Sequence, residues 1–352
     1  MKGLIRLLLL GVACALWGGL SVIAQGSHMP PRPHGPMPRL DGAVAWVNSK
    51  PLTPAELRGK VVLIDFWTFT CVNWQRTLPY VNAWASKYQD QGLVVIGVHT
   101  PEFSFEGDLE NVRQATAQLK VAFPVAVDSK RAIWNAFENA AWPALYLIDA
   151  QGLIRHRHYG EGDFERSEKM IQQLLAESGV KNVPTSLVRV EGAGAQAPAD
   201  WVNLRTPETY VGYQQAEGFR SPGGMVSDLK RRYVLPDRLP TNNWAAAGEW
   251  TFASEAARTE SANARIVYRF HARDVNLVMG PMSRDKPVPF RVRIDGQPPG
   301  AAHGSDTDAA GAGVLIEKRL YQLIRQPGAI DDRDFEIEFS EPGTQAYAFT
   351  FG

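Results

Sequence analysis

Two runs of nearly unbroken apolar residues, "VVLIDFW" (61–67) and "LVVIGVH" (93–99), constrain this chain more than any other feature. A strand that is apolar on both faces must be covered on both, so each reads as an interior strand with helices above and below it. The neighbouring segments supply the helices: residues 71–90, interrupted by Pro79, "LENVRQATAQLK" (109–120), and a helix in "SKRAIWNAFENA" opened by Ser129. "FPVAVD" (123–128) reads as a short third strand. "ALYLIDAQGLIRHRHY" reads as two strands joined at Asp149-Ala-Gln-Gly152, and "ERSEKMIQQLLAES" as a closing amphipathic helix. Residues 40–178 are therefore expected to form an α/β unit.

Beyond residue 178 the periodicity fades. Gly, Ala and Pro gather in "EGAGAQAPAD", which marks 179–205 as a linker. From residue 206 to 352 the pattern becomes period two. In "ARIVYRFHA" Ile266, Tyr268 and Phe270 face one way and Arg265, Arg269 and His271 the other; Phe335, Ile337 and Phe339 oppose Glu336 and Glu338; Tyr347, Phe349 and Phe351 alternate with small residues. Half-buried antiparallel strands between Gly/Pro turns indicate an all-β sandwich. A length of 352 residues accommodates two such domains, each with its own core.

Lys+Arg and Asp+Glu balance at 37 each, so no global field recruits nucleic acid. Residues 1–25 carry Lys2 and Arg6 ahead of an apolar run ending in Val22-Ile23-Ala24. This fits a secretory leader cut after Ala24, with an uncleaved membrane anchor as the alternative. The expected location is extracytoplasmic, periplasmic or anchored. Pro/Gly-rich residues 26–39 read as a tether. The chain has two cysteines, and Cys14 lies inside the leader, so a cleaved chain keeps Cys71 alone and forms no internal disulfide.

Cys71 stands just past the strand 61–67, in the first turn of a helix. Unsatisfied N–H groups and the helix dipole favour thiolate there, and thiolate is the reactive form. Neighbouring parallel strands end on the same sheet edge, which brings His99, Thr100 and Glu102 of "HTPEF" toward the sulfur, with His99 as a base or charged neighbour.

Residues 40–178 resemble the TlpA/DipZ-like branch of the thioredoxin superfamily, grouped with the alkyl hydroperoxide reductase and thiol-specific antioxidant proteins. The resemblance runs through "LRGKVVLIDFWTFTC", "QRTLPYV", "GLVVIGVHTPEFSFE" and "WPALYLIDAQGLIRHRHYGEGDF". It implies a thioredoxin fold with Cys71 as nucleophile, Asp65 as buried proton acceptor, Trp67 as a shielding aromatic, Pro79 as the helix-kinking proline and Pro143 as a cis-proline that guides substrate. "TPETYVGY" (206–213) and the ending "FEIEFSEPGTQAYAFTFG" resemble the carbohydrate-binding-like sandwich that follows the redoxin domain in DipZ-like proteins.

This chain departs from the Cys-x-x-Cys pattern of that family, because it reads Cys71-Val72-Asn73-Trp74. Three functions stay open. The first is monothiol thiol-disulfide exchange with protein thiols, protein disulfides or small thiols, in which a membrane electron donor is a candidate partner. The second is a one-cysteine peroxidase, with Thr68 three residues before Cys71 and Arg155 or Arg157 at the thiolate, although Ile64 stands where that pattern has proline. The third is a redox-inactive module binding through an aromatic surface of Trp67, Trp74 and Trp142. No cofactor is implied. A cell-wall glycan stacked on Trp244, Trp250 or Tyr321 is a further expectation for the sandwich, and His303, Asp306 and Asp308 in "HGSDTD" are candidates for a cation site.

Overall fold

The computed structural model describes residues 35–352. The proposed leader at 1–25, Cys14 and residues 26–34 of the tether lie outside them. Residues 35–39 do not run free: Pro36 bridges Leu153, and the Met37 N–H donates to the Gly152 carbonyl at 2.8 Å. Among the described residues no helix is long and apolar enough to cross a membrane.

The first half is a six-stranded sheet of β1 (Ala45–Val47), β2 (Val61–Trp67), β3 (Leu93–His99), β4 (Val125–Val127), β5 (Ala144–Ile148) and β6 (Ile154–Tyr159), in the order β1-β4-β3-β2-β5-β6. Its helices are α1 (Pro54–Leu57), α2 (Val72–Tyr88), α3 (Leu109–Gln118), α4 (Ala132–Ala136) and α5 (Phe164–Glu177). β2 and β5 are buried at every position, as strands covered on both faces must be. Pro79 lies inside α2. The helix expected from Ser129 starts later and is capped differently. Ser129 Oγ donates to the Gly107 carbonyl, while Asp128 accepts the N–H groups of Ile133 at 3.0 Å and Trp134 at 2.8 Å.

The register of this sheet gathers the site. β2 pairs parallel with β3, setting Trp67 opposite His99 and Asp65 opposite Gly97. β5 is antiparallel to β2 and begins on the same edge, with Ala144 opposite Phe66. Three connections therefore converge there: the one after β2 that carries Cys71, the one after β3 that carries Glu102, and the one before β5 that carries Trp142 and Pro143. Gly97 makes this packing possible, since a Cβ there would sit 2.8 Å from the Trp67 indole nitrogen and 2.9 Å from Phe123.

Residues 179–205 form no strand and only one 3-10 turn, Gly194–Gln196. They lie against the first half: Val180, Val183 and Val188 join its core, and the Val188 N–H donates to Glu168 at 2.8 Å.

The second half is built from β7 (Thr209–Tyr210), β8 (Arg231–Tyr233), β9 (Asn243–Phe252), β10 (Ala257–Thr259), β11 (Ala264–Phe270), β12 (Asp274–Pro281), β13 (Val288–Ile294), β14 (Ala312–Leu315), β15 (Arg319–Arg325), β16 (Arg333–Phe339) and β17 (Thr344–Phe351). β9 belongs to both layers. Its first part pairs with β11, up to Ala247 opposite Arg265, and its later part pairs with β8 and β10. Gly248 marks the change, with φ of 92° and space for no side chain, because a Cβ would approach Ala264 Cα to 2.9 Å.

Trp244, Trp250 and Tyr321 are core residues at 0%, 0% and 1% exposure, so they offer no stacking platform to a sugar ring. The "HGSDTD" loop is likewise spent internally. Asp306 accepts from Arg319 at 2.6 Å and from the Gln322 N–H, Asp308 accepts the N–H groups of Ala310 and Ala312, and His303 Nδ1 lies 2.9 Å from the Gly304 carbonyl oxygen. Among the described residues no group of three or more His, Cys, Asp or Glu is placed to hold a metal ion.

One strand breaks its expected alternation. Opposite β12, Val278 pairs with Ala348 and Met279 with Ala346, so Tyr347 is bulged out of register. Phe349 and Phe351 stay in the sandwich core, while Tyr347 turns to the first half and packs with Val72, Phe103, Val278 and Leu320. Its ring lies 5.1 Å from Phe103 and 4.8 Å from Phe105. This cluster joins the two halves at the residue that follows Cys71.

Gly248→Ala is expected to lose about 1–2 kcal/mol through left-handed backbone strain and about 1–3 more through overpacking. Gly343→Ala, at φ 94° with nothing within 4 Å, should show the strain alone. Urea midpoints at unchanged m-value measure both, and equal losses would contradict the close approach at Gly248.

Candidate active site

Cys71 is the N-cap residue of α2 (φ −70°, ψ 111°), and its carbonyl accepts the Gln75 N–H at 3.0 Å. The sulfur points across the sheet edge, donating to the Trp142 carbonyl at 3.8 Å. The Trp142–Pro143 peptide is cis, as the resemblance implied. Trp142 is itself fixed: its indole N–H donates to the Thr100 carbonyl at 3.0 Å, and its ring packs 4.3 Å from Trp134.

A buried carboxylate holds the two approach loops together. Glu106 Oε1 accepts the Thr70 N–H at 3.2 Å and hydroxyl at 2.6 Å, while Oε2 accepts the N–H groups of Glu102 at 2.8 Å and Phe103 at 2.9 Å. Residues on either side of the site thus hang from one side chain. Thr68 is buried beside it. Sequence reasoning missed Glu106, although the second carboxylate of "EFSFEG", three residues after Phe103, carries the spacing of a turn cap.

Trp74 does not lie on the surface. It is fully buried and stacks on Trp67 at 4.1 Å, and its Nε1–H donates to Asp65 Oδ2 at 2.9 Å. Asp65 is itself wholly buried, and this desolvation raises its carboxyl to about 7 despite the Trp74 hydrogen bond. The aromatic surface of Trp67, Trp74 and Trp142 expected for a binding module therefore does not exist; only Trp142 keeps accessible surface.

His99 is also displaced from its expected role. It is fully buried, stacked on Phe69 at 5.5 Å and edge-on to Trp67 at 4.7 Å, and it does not line the space at the sulfur. Burial lowers its pKa to about 3, so it is a neutral core ring. Arg155 is engaged with Asp149 at 3.1 Å and Glu177 at 2.8 Å, and Arg157 is exposed on β6; neither lines that space. The peroxidase reading loses its thiolate cation.

The expected activation of Cys71 is reversed. Cys71 is half-buried and keeps surface toward the cavity at this edge, yet the removal of its sulfur from much of the water still pushes the thiol above its ordinary pKa; Glu102 adds to the rise, and the N–H groups of Trp74 and Asn73 at the helix terminus only partly offset it.

The second half closes over this edge. A cavity of about 690 Å³ is lined on one side by Cys71, Asn73, Glu102 and Trp142, and on the other by residues that include Trp201, Arg205, Glu208 and Tyr210. The Tyr210 hydroxyl donates to Glu102 Oε1. Burial, with Glu208 and Glu106 adding like charge, raises Glu102 to about 8. Glu208 rises to about 7 by desolvation, a rise discounted by the surface its side chain keeps. Tyr210 is 108 positions from Glu102, and no local signal in the sequence marks that meeting.

Residues 40–157 match the family described as AhpC/TSA, and residues 206–352 match the thioredoxin-like C-terminal domain. The chain is 39% identical over 251 residues to protein DipZ of Mycobacterium tuberculosis, covering 70% of this chain and 35% of that protein. It thus spans about a third of the length of that relative. It is 38% identical over 144 residues to the thiol-disulfide oxidoreductase YkuV of Bacillus subtilis, covering 41% of this chain and 96% of that one. A thioredoxin-like protein solved in its oxidized form is 37% identical, covering 41% of this chain and 96% of that chain at a TM-score of 0.38.

Asp65 gives stability a pH dependence of definite sign. A carboxyl raised from 3.8 to about 7 on folding contributes least where it must ionise in the core, so stability is full below pH 3.8 and falls as pH rises through that interval. Urea titrations from pH 4 to 8 should show wild type losing on the order of 4 kcal/mol relative to Asp65→Asn, which does not ionise. Parallel curves would mean that Asp65 does not carry this proton.

Proposed function

Since the chain belongs to the AhpC/TSA family, in its TlpA/DipZ-like branch, we propose that it carries out thiol-disulfide exchange through a single sulfur. Cys71 attacks a substrate disulfide. One substrate sulfur leaves with the electron pair and takes a proton, and the other remains bonded to Cys71 as a mixed disulfide. The Trp142 carbonyl stands at the sulfur and guides the substrate chain, and the buried Pro143 sets its direction through the cis peptide. Asp65, which the resemblance makes a proton acceptor, serves here to hold Trp74.

The observation that carries this reading is the position of Trp74. A resolving cysteine would stand there, and a buried indole bonded to Asp65 occupies the place instead. The mixed disulfide therefore persists until an external thiol attacks it. Disulfides on extended protein segments are the substrates, the leader-like residues 1–25 support an exchange outside the cytoplasm, and a membrane-linked donor or a small thiol supplies the reducing equivalents. The binding-module reading has lost its aromatic surface, and the peroxidase reading its arginine.

In full-length protein, wild type treated with 2-hydroxyethyl disulfide is expected to hold one adduct on Cys71, assigned by peptide mapping and stable until thiol is added. Trp74→Cys is expected to discharge that adduct unaided, forming a bond between residues 71 and 74, while losing about 3–5 kcal/mol of stability for the missing indole. Spontaneous discharge by wild type, or an inert Cys71 in folded protein, would refute single-sulfur exchange.

A further inference from the structure

We propose that the cavity built by the C-terminal half over Cys71 receives the external resolving thiol, that this thiol is a low-molecular-weight one, and that Glu102, held by Tyr210, gives the departing Cys71 sulfur its proton. The inference rests on the exchange reading above and assigns its second step.

The geometry begins with what reaches the sulfur. The space at Cys71 is about 690 Å³, within the range of roughly 300–1,000 Å³ typical of small-molecule sites, and it is walled by both halves of the protein. Glu208 and Tyr210 of the second half, with Trp201 of the preceding linker, stand opposite Cys71, Glu102 and Trp142 of the first. The halves are tied around it: Tyr210 donates to Glu102, the Ser104 N–H donates to Glu255 at 3.1 Å, and Tyr347 packs on Phe103 and Phe105. A thiol on a folded protein would have to part these contacts. A molecule of a few heavy atoms enters without disturbing them.

The chemistry then asks for an acid. The resolving thiol enters as thiolate, its proton released to solvent. It attacks the substrate sulfur of the mixed disulfide, the bond to Cys71 breaks, and Cys71 leaves with the electron pair. The resolving thiol is thereby oxidised into a new disulfide with the substrate, and Cys71 is reduced. Burial makes the Cys71 thiolate a poor leaving group, because a thiol of high pKa leaves slowly. Protonation as the bond breaks removes that obstacle.

Glu102 is placed for it. It shares the cavity with Cys71, its backbone N–H is held by Glu106, and one of its oxygens is held by Tyr210. The charged and titratable groups around it are Glu106 from its own loop, Arg131 ahead of α4, Cys71 at α2, and Glu208 and Tyr210 from the second half. Burial, with the like charge of Glu208 and Glu106, keeps its proton in place up to about pH 8, against the opposing pull of the Tyr210 hydrogen bond and of Arg131. After transfer, solvent reprotonates the carboxylate.

The experiment uses full-length protein carrying 2-mercaptoethanol on Cys71 as a mixed disulfide, with release of free Cys71 by added 2-mercaptoethanol followed by intact mass. Rates are referred to the thiolate present. Wild type should be resolved at least about tenfold faster by 2-mercaptoethanol than by reduced thioredoxin, and its rate constant should fall above about pH 8. Glu102→Gln should lower the rate by about 10²-fold and flatten that alkaline fall. Tyr210→Phe, which removes a donor to the carboxylate, should move the fall to higher pH. An unchanged rate and profile in Glu102→Gln would overturn the role of Glu102. Equal or faster resolution by thioredoxin would overturn the assignment to a small thiol. If wild type forms no mixed disulfide at all, the exchange reading itself fails, which is a separate result.

Discussion

The hydrogen bond from the Trp74 indole to the buried Asp65 carboxyl decides the chemistry open to this protein. It fills the place of a second thiol with a ring stacked on Trp67, and it fixes the first turn of α2 against β2, where Cys71 is displayed. Asp65 would otherwise be an uncompensated buried carboxyl, and Trp74 a buried donor without an acceptor. Each makes the other tolerable. Among the described residues this sulfur has no second thiol to pair with, so every electron that leaves the site leaves through another molecule.

That makes the approach to Cys71 more important than in a dithiol enzyme, and the approach belongs to both halves of the chain. The bulge at Tyr347 turns one aromatic out of the sandwich core and onto Phe103 and Phe105, beside the loop that carries Glu102. With Tyr210 bonded to Glu102, the C-terminal half becomes part of the wall around the sulfur.

Two opposed effects act on that sulfur, and their sizes decide the outcome. A helix N-terminus contributes about 0.3–1 kcal/mol, and at most about 2, in favour of thiolate; that is at most about 1.5 pKa units. Removal from water shifts a fully buried group by up to 3–5 units the other way, and half-buried Cys71 receives part of that. Carboxyls at Glu102 and Glu208 add to the second effect. The position of Cys71 in the chain shows the first contribution alone, and the second exists only once the walls are assembled.

The unbroken apolar runs of β2 and β3, the alternation of β11 and β16 and the hairpin at Asp149–Gly152 determined the two architectures, because local hydrophobic period and turn chemistry are properties of neighbouring residues. They also placed Cys71 at a helix start and Glu102 on the same edge, while Pro143 at the site was implied by the family resemblance. Tertiary structure alone decided that His99 is a neutral core ring, that Trp244, Trp250 and Tyr321 are interior, that Glu106 ties the two approach loops, and that Tyr210 reaches Glu102 from 108 positions away. Burial and long-range pairing follow from which surfaces meet, and residue spacing along the chain does not encode that meeting.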